Sequence, residues 1–235
     1  MVAKEAASHI RSYVLRQGRM TAGQVRAFEE HWPKYGIEYE QKQIDLDRLF
    51  GRVAPRVLDI GIGTGDTTLK IADACPENDY LGIEVHRPGV GSLLRRLDEA
   101  NVSNVKIICH DVIDVLQNQI CDQSFDQVFI FFPDPWPKKK HHKRRLIRPE
   151  FLDLLISKMT SHGRIYIATD WAELAEHILE VCEAHEGLLN LAGVGNASPR
   201  PNWRPLTRFE QRGERLEHEV FDFIYAVSRT RSEID

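Results

Sequence analysis

The segment from Ile130 to Arg145, IFFPDPWPKKKHHKRR, combines residue types that could orient a nucleobase and hold a phosphate chain. It places Asp134 between two prolines, directly after an apolar run. Proline fixes its own φ and restricts the residue before it, so the carboxylate of Asp134 is constrained from both sides. Trp136 offers an aromatic face for stacking, and the basic residues from Lys138 onwards are able to contact phosphates. The segment therefore predicts a pinned acid beside a polyanion-binding surface.

A glycine-rich turn follows an earlier apolar run, RVLDI. Gly61, Gly63 and Gly65 stand in the sequence GIGTG. Glycine lets a backbone approach a ligand closely and adopt conformations that other residues avoid. The turn alone is a weak signal, because it equally marks a tight connection from strand to helix. A dinucleotide-binding fingerprint needs a third glycine where this chain has Asp66, a residue we interpret as a helix cap.

Three acids lie near the ends of three successive predicted strands: Asp59, Glu84 and Asp111. Asp59 would repel a pyrophosphate but accept hydrogen bonds from a cationic ligand. Glu84 is placed to bind both hydroxyls of a ribose, and Asp111 to meet an adenine amino group, although Asp111 could instead cap a helix. S-adenosylmethionine carries an adenosine, a sulfonium and an ammonium, but no phosphate, so the set fits this cofactor better than NAD. We therefore predict an S-adenosylmethionine site at these acids and the three glycines.

The elements that position these residues follow from a regular alternation of apolar strands and amphipathic helices between residues 56 and 185. Such alternation predicts βαβ units and a parallel sheet covered on both faces. In such a sheet, ligands bind beyond the carboxyl ends of the strands, where the strand order reverses. The late run LEHEVFDFIYAVSR has no crossover helix after it, which favours an antiparallel edge strand. The predicted fold class is α/β, Rossmann-like and doubly wound.

The composition of the 235 residues is that of an ordinary globular protein. We expect a basic, partly helical extension over residues 1–50, with Thr21 as a helix cap, and one domain over residues 51–235. We find no apolar run of membrane-spanning length, no secretory signal and no CxxC pair, so we expect a cytoplasmic protein without a metal site. The net charge of −4 conceals a cluster of seven basic residues and no acid between Lys138 and Arg148. By charge alone, a nucleic-acid surface and a solvated basic loop are equally good interpretations.

Several motifs together resemble those of the bacterial tRNA (guanine-N7)-methyltransferase family. They are FFPDPWPKKKHHKRR, LDIGIGTG, LGIEVH, ATDW and TRFEQRG, and the likeness runs from about residue 10 to the C-terminus. The PDPWPK motif is highly specific, unlike the glycine turn. The resemblance implies a class I methyltransferase fold with a mostly parallel, seven-stranded sheet. It also implies transfer of the methyl group of S-adenosylmethionine to N7 of guanine 46 in the variable loop of tRNA.

The resemblance implies roles for individual residues as well. Asp134 corresponds to the family's proposed catalytic residue. Together with Asp59, Glu84 and Asp111 it also corresponds to the acids that contact the cofactor in the family. The implied substrate contacts are Lys138, Asp170, Thr207, Arg208, Phe209 and Glu210.

Methylation at guanine N7 depends on orienting the base relative to the methyl group and needs no strong base, because N7 carries an in-plane lone pair and no proton. Asp134 and Asp170 could accept hydrogen bonds from the guanine N1–H and amino group, and base and orienter both remain open as the role of Asp134. Two other classes are a catalytically silent RNA-binding protein on the same fold and a small-molecule methyltransferase or NAD-dependent dehydrogenase. The intact acids weigh against the first and the basic segment against the second. The expected partner is tRNA, and a monomer is favoured.

Overall fold

A computed structural model describes residues 10–14, 18–207, 210 and 219–228 of the chain. The strands of this part are β1 (Gly36–Ile37), β2 (Arg56–Ile60), β3 (Asp79–Ile83), β4 (Val105–Ile108), β5 (Phe125–Phe131), β6 (Met159–Thr169), β7 (Leu188–Asn190) and β8 (Phe221–Val227). The helices are α1 (Ala22–Tyr35), α2 (Leu46–Phe50), α3 (Asp66–Ala74), α4 (Arg87–Glu99), α5 (Val112–Asn118), α6 (Pro149–Ser157) and α7 (Ala172–Glu183), with a 3₁₀ helix over Lys139–Arg144.

The strands form one sheet in the order β1-β4-β3-β2-β5-β6-β8-β7. Strands β1 to β6 pair in parallel, and β8 pairs antiparallel with both β6 and β7. The direction of strand order reverses between β2 and β5, so the glycine turn after β2 and the proline motif after β5 lie side by side at the reversal point. The Rossmann-like expectation is confirmed. Strands β2 to β8 give the expected seven, and β1 adds an eighth strand at the other end of the sheet. Strand β8 pairs antiparallel with β6 as predicted, but β7 lies outside it and is the edge strand.

Alternate residues of the central strands face opposite sides of the sheet, which is why both faces are buried. Val57 and Phe129 join one hydrophobic cluster with α1, α3 and α4. Leu58 and Val128 join the other cluster, with α5, α6 and α7. The near-continuous apolar runs of the sequence therefore come from strands covered on both sides.

Helix α1 and strand β1, which lie within the first fifty residues, belong to the same fold as the central sheet. Thr21 caps α1 in a complete capping box with Gln24, as predicted. Ala27 and Tyr35 of α1 are buried in the cluster that covers α4, and β1 pairs with β4. The domain boundary at residue 50 stays a prediction. Helix α1 packs on the central sheet, and β1 is one of its strands. Among the described residues, no helix is both long and apolar enough to span a membrane.

Candidate active site

Two adjoining cavities lie at the carboxyl edge of the sheet where the strand order reverses. Their volumes are about 410 and 400 Å³. Gly61, His86 and Phe131 line both cavities. Glu84 and Asp134 also line the first cavity, so the strand-end acid of β3 and the acid of the proline motif face one space.

The glycine turn has the backbone that only glycine adopts readily. Gly61, Gly63 and Gly65 have φ of 77°, 55° and 72°, in the left-handed region that other residues avoid. A Cβ on Gly61 or Gly63 would point into open space, whereas one on Gly65 would collide with Leu93 of α4. The first two glycines therefore leave room for a ligand, and the third allows α3 and α4 to pack closely.

Three backbone amides hold the carboxylate of Glu84 in place. Its Oε2 accepts from the N–H of Gly63 at 2.7 Å, and its Oε1 accepts from the N–H groups of Val85 and His86 at 2.7 and 2.9 Å. The residue is 9% exposed and lines the first cavity. Such fixation orients the acid before any ligand arrives. Glu84 therefore presents a rigid acceptor of the kind that a ribose diol requires.

Asp59 occupies the end of β2 and lines the second cavity. It is 4% exposed, and its Oδ2 accepts from the hydroxyl of Thr68 at 2.7 Å. Burial raises the pKa of Asp59 to about 7, the hydroxyl of Thr68 opposes the rise, and the charge of Glu84 adds to it. A buried carboxylate is costly to ionise. A cationic ligand would relieve that cost, so these acids and the open glycine backbone fit S-adenosylmethionine.

Asp111, the third strand-end acid, caps a helix, which is the alternative role that the sequence allowed. Asp111 caps α5 by accepting from the N–H of Ile113 at 2.8 Å, and it is 4% exposed. It also hydrogen bonds with the phenol of Tyr13, and burial together with this acid raises the pKa of Tyr13. The cap is confirmed. The adenine contact stays a prediction, since His110 and Val112, which flank Asp111, line the cavity instead.

Asp66 differs from its predicted role as a cap. Gly65 occupies the cap position of α3, and Asp66 is the first residue of the helix. Its carboxylate forms an ion pair with Arg96 of α4 and accepts from the hydroxyl of Thr64 at 2.6 Å. The prediction was wrong because the left-handed glycine ends the turn one residue earlier than the sequence pattern suggested.

The proline motif leaves β5 through an unusual backbone. Phe132 and Trp136 have φ of 53° and 46°, which is uncommon for aromatic residues. The N–H of Phe132 donates to the carbonyl of Ala168 in β6 at 2.8 Å, which anchors the start of the motif. Asp134 is exposed to solvent and lines the cavity that Gly61 also lines. Strained backbone of this kind concentrates at functional sites.

The basic cluster after the motif divides into two groups with different environments. Its exposed side chains are Lys138, Lys139, Lys140 and Lys143. The guanidinium of Arg144 lies 5.2 Å from the ring centroid of Trp136 and covers one of its faces. Arg145 is only 2% exposed and pairs with Glu173 of α7, so it does not belong to the phosphate-binding surface that the sequence suggested.

The predicted substrate contacts near the C-terminus lie partly in a buried ion cluster. Glu210 is 2% exposed; it accepts from Arg204 Nη2 at 2.7 Å and from the N–H of Thr207 at 2.7 Å. Arg204 is fully buried and also donates to both carboxylate oxygens of Asp222 of β8 at 2.9 and 2.8 Å. This arrangement holds Thr207 against the second cavity. Direct contact of Glu210 with a substrate stays a prediction.

The remaining predicted contacts are divided between described and undescribed parts of the chain. Asp170 directly follows β6 and is half-buried, but it lines neither cavity. Arg208 and Phe209 lie outside the described residues. Ser12 and Tyr13 line the first cavity, and Trp136 Nε1 donates to the carbonyl of Ser12 at 2.8 Å. No motif marked these two residues, because their partners Trp136 and Asp111 lie far away in the sequence.

Comparison with known proteins gives consistent results. A family described as "Putative methyltransferase" matches residues 53–223. A protein of Nitrosospira multiformis named tRNA (guanine-N(7)-)-methyltransferase is 55% identical over 216 residues, covering 92% of this chain and 93% of the relative. One of the same name from Xanthomonas campestris pv. campestris is 49% identical over 222 residues, covering 94% and 85%.

Solved structures share the fold at much lower identity. The 16S rRNA methyltransferase KamB has a TM-score of 0.54 at 14% identity, covering 80% of this chain and 95% of that one. The antibiotic-resistance methyltransferase Kmr has a TM-score of 0.55 at 14% identity, covering 83% and 95%. At this identity the likeness concerns the fold alone.

The sheet order, the glycine turn and the strand-end acids together define a methyltransferase of the Rossmann-like class that uses S-adenosylmethionine as methyl donor. Sequence identity near one half over most of the chain narrows this class further. The chain belongs to the tRNA (guanine-N(7)-)-methyltransferase family.

Proposed function

We propose that this protein transfers the methyl group of S-adenosylmethionine to N7 of guanine 46 in the variable loop of tRNA. The observation that carries the proposal is the shared cavity of Glu84 and Asp134, with four exposed lysines directly after the proline motif. One acid belongs to the cofactor side of the cavity and the other to its mouth. The choice of tRNA as the substrate and of guanine N7 as the methylated atom follows from the names of the relatives.

On the cofactor side, Asp59 and Glu84 are the residues that would hold S-adenosylmethionine. When bound, the cofactor supplies an electrophilic methyl group on a sulfonium. The fixed carboxylate of Glu84 suits the ribose hydroxyls, and Asp59 offers an anion that a cationic ligand stabilises. Gly61 and Gly63 let the ligand approach the backbone.

On the substrate side, Asp134 and Asp170 would accept hydrogen bonds from the N1–H and amino group of guanine. N7 attacks with its own lone pair and loses no proton, so the acids orient the base rather than deprotonate N7. Correct orientation alone can supply roughly 7–11 kcal/mol of the barrier reduction. A site that hydrogen bonds these donors also rejects adenine, which lacks N1–H. Positive charge develops on the purine, and the carboxylate of Asp134 stabilises it.

The tRNA itself would bind along the exposed lysines. Lys138, Lys139, Lys140 and Lys143 follow the motif within one short segment, where phosphates of the variable loop would neutralise them. We further propose that the protein acts as a monomer in the cytoplasm, where tRNA is found. The four cysteines of the chain are all free thiols, as expected in a reducing compartment.

Transfer of labelled methyl groups to a tRNA transcript tests the proposal. We expect one methyl group per tRNA, at guanine 46, and no transfer when that position carries 7-deazaguanine, which lacks the N7 atom. Asp134→Asn should slow transfer about 100-fold, as expected for lost orientation. Asp153→Asn, on the exposed face of α6, is the control. Label at another nucleotide, or equal rates for the Asp134 variant and the control, would contradict the proposal.

A further inference from the structure

Hydrogen bonds of Arg145 link the proline motif to the end of the 3₁₀ helix that follows it. Arg145 Nε donates to the carbonyl of Pro135 at 3.1 Å, ten residues earlier in the chain. Its own N–H donates to the carbonyl of His142 at 2.9 Å, at the end of the 3₁₀ helix. The residue is 2% exposed, although it stands within the most basic stretch of the sequence.

The second arm of the guanidinium ties these two segments to α7. Arg145 Nη2 donates to Oε1 of Glu173 at 3.0 Å, and Nε2 of His142 lies 3.1 Å from the same oxygen. Glu173 belongs to the first turn of α7, directly after β6. One guanidinium therefore joins the proline motif, the 3₁₀ helix and α7, a task suited to the rigid planar fork of arginine.

Few rotatable bonds separate this contact from Asp134. The carbonyl that Arg145 holds belongs to the residue after Asp134, and the ring of Pro135 locks φ of that residue. The peptide bond between the two is planar. Only ψ of Asp134 and ψ of Pro135 then remain free between the held carbonyl and the Cα of the acid. Fixing the carbonyl of Pro135 thus largely fixes the backbone that carries the acid.

From this geometry we infer that Arg145 is a positioning residue. It couples the 3₁₀ helix, whose exposed lysines would bind phosphate, to Asp134. The inference rests on the proposed function. A phosphate chain that contacts Lys139 or Lys140 acts on a helix whose end is bonded to the proline motif. When RNA binds the 3₁₀ helix correctly, the hydrogen bonds of Arg145 therefore hold Asp134 in the position that orients guanine. Arg145 itself touches neither the RNA nor the cofactor.

Substitutions of Arg145 separate positioning from general support of the fold. Arg145→Ala should lower kcat about 100-fold, the loss that a displacement near 1 Å can cause. The dissociation constants for tRNA and S-adenosylmethionine should stay within about threefold, since the exposed lysines and Glu84 are unchanged. Guanidinium ions should restore part of kcat in this variant by refilling the site between Pro135 and Glu173.

Arg145→Lys keeps the charge but cannot reach Pro135 and Glu173 together. We expect it to restore the melting temperature while kcat stays at least about tenfold low, because lysine is a point donor without the fork. The matched control is Arg52→Ala, which removes an ion pair of 2.7 Å to buried Asp79 at the opposite edge of the sheet. It should lose stability and retain kcat.

The outcomes distinguish the two proposals. If the wild-type protein transfers no methyl group to tRNA, the proposed function fails. If the wild type is active and Arg145→Ala lowers kcat no more than Arg52→Ala does, the positioning role is wrong. Full recovery of kcat in Arg145→Lys would also overturn it, since charge alone would then suffice.

Discussion

Replacing Asp59 by asparagine tests the electrostatics of the cofactor site, because it removes an ionisable group and keeps the shape of the side chain. Burial raises the pKa of Asp59 to about 7 in the folded protein, against an ordinary value of 3.8. Between pH 4 and 7 the folded protein therefore binds more protons at this residue than the unfolded chain does. The stability that Asp59 contributes is full below about pH 4, falls as the pH rises through this window, and is lost above about pH 7.

The magnitude follows from the size of the shift. A change from 3.8 to about 7 is about three pKa units, and each unit is worth 1.36 kcal/mol, so the ionised group costs about 4 kcal/mol at pH 8. At pH 5 the same linkage gives a cost of about 2 kcal/mol. The asparagine side chain of the variant does not titrate. We expect Asp59→Asn to be more stable than the wild type, by a margin that widens by roughly 2–3 kcal/mol between pH 5 and pH 8.

Cofactor affinity should respond in the opposite direction. A cationic ligand favours the ionised form of Asp59, so the wild type should bind S-adenosylmethionine more tightly as the pH rises through 7. Asp59→Asn should bind it weakly, without that rise. The residue would then destabilise the free protein in order to bind its cofactor.

Urea unfolding of both proteins at pH 5, 6, 7 and 8 measures the margin, and calorimetric titration measures cofactor affinity at the same pH values. Asp73→Asn, which removes an exposed carboxylate from the last turn of α3, outside both cavities, is the control for charge alone. A margin that stays constant within about 0.5 kcal/mol would refute the reasoning, because linkage requires it to change with pH.

Two other residues give sharp expectations. Lys140→Ala should weaken tRNA binding and reduce the slope of log K against log salt by about one, as for one lost phosphate contact; an unchanged slope in a filter-binding titration would exclude that contact. Arg204→Met should lower the free energy of unfolding by about 3–5 kcal/mol, because it leaves the carboxylates of Asp222 and Glu210 buried without their cation. A loss below about 1 kcal/mol in urea unfolding would show that these acids find other partners.

Much of the fold was predictable because its signals are local. Strands β2 to β6 and the helices between them are continuous apolar runs or amphipathic segments, and they alternate within the predicted range of residues 56–185. Four short elements were not predicted: β1, α2, β7 and the 3₁₀ helix over Lys139–Arg144. They contain two to six residues, too few for a period to emerge, and they depend on the pairing and packing that the larger elements offer.

The site was predictable to the extent that strand order brings strand ends together. Glu84 and Asp134 are fifty positions apart, and they share a cavity because β3 and β5 flank β2. The role of Asp111 could not be decided in this way, since a residue after a strand is equally placed to cap the next helix. Local spacing indicates where a carboxylate lies along the chain and leaves its partner undetermined.

By itself the sequence determined the order of strands and helices, the glycine turn and the proline-bracketed acid, because these depend on neighbouring residues. Only the tertiary structure separated Arg145 from the lysines beside it and bound Glu210 to Arg204. Charge is a property of composition, whereas burial and ion pairing arise when distant segments such as α7 and β8 pack against a loop. A basic residue in a basic stretch can thus bind RNA or form a buried ion pair that stabilises the fold. Its surroundings in three dimensions decide between these two roles.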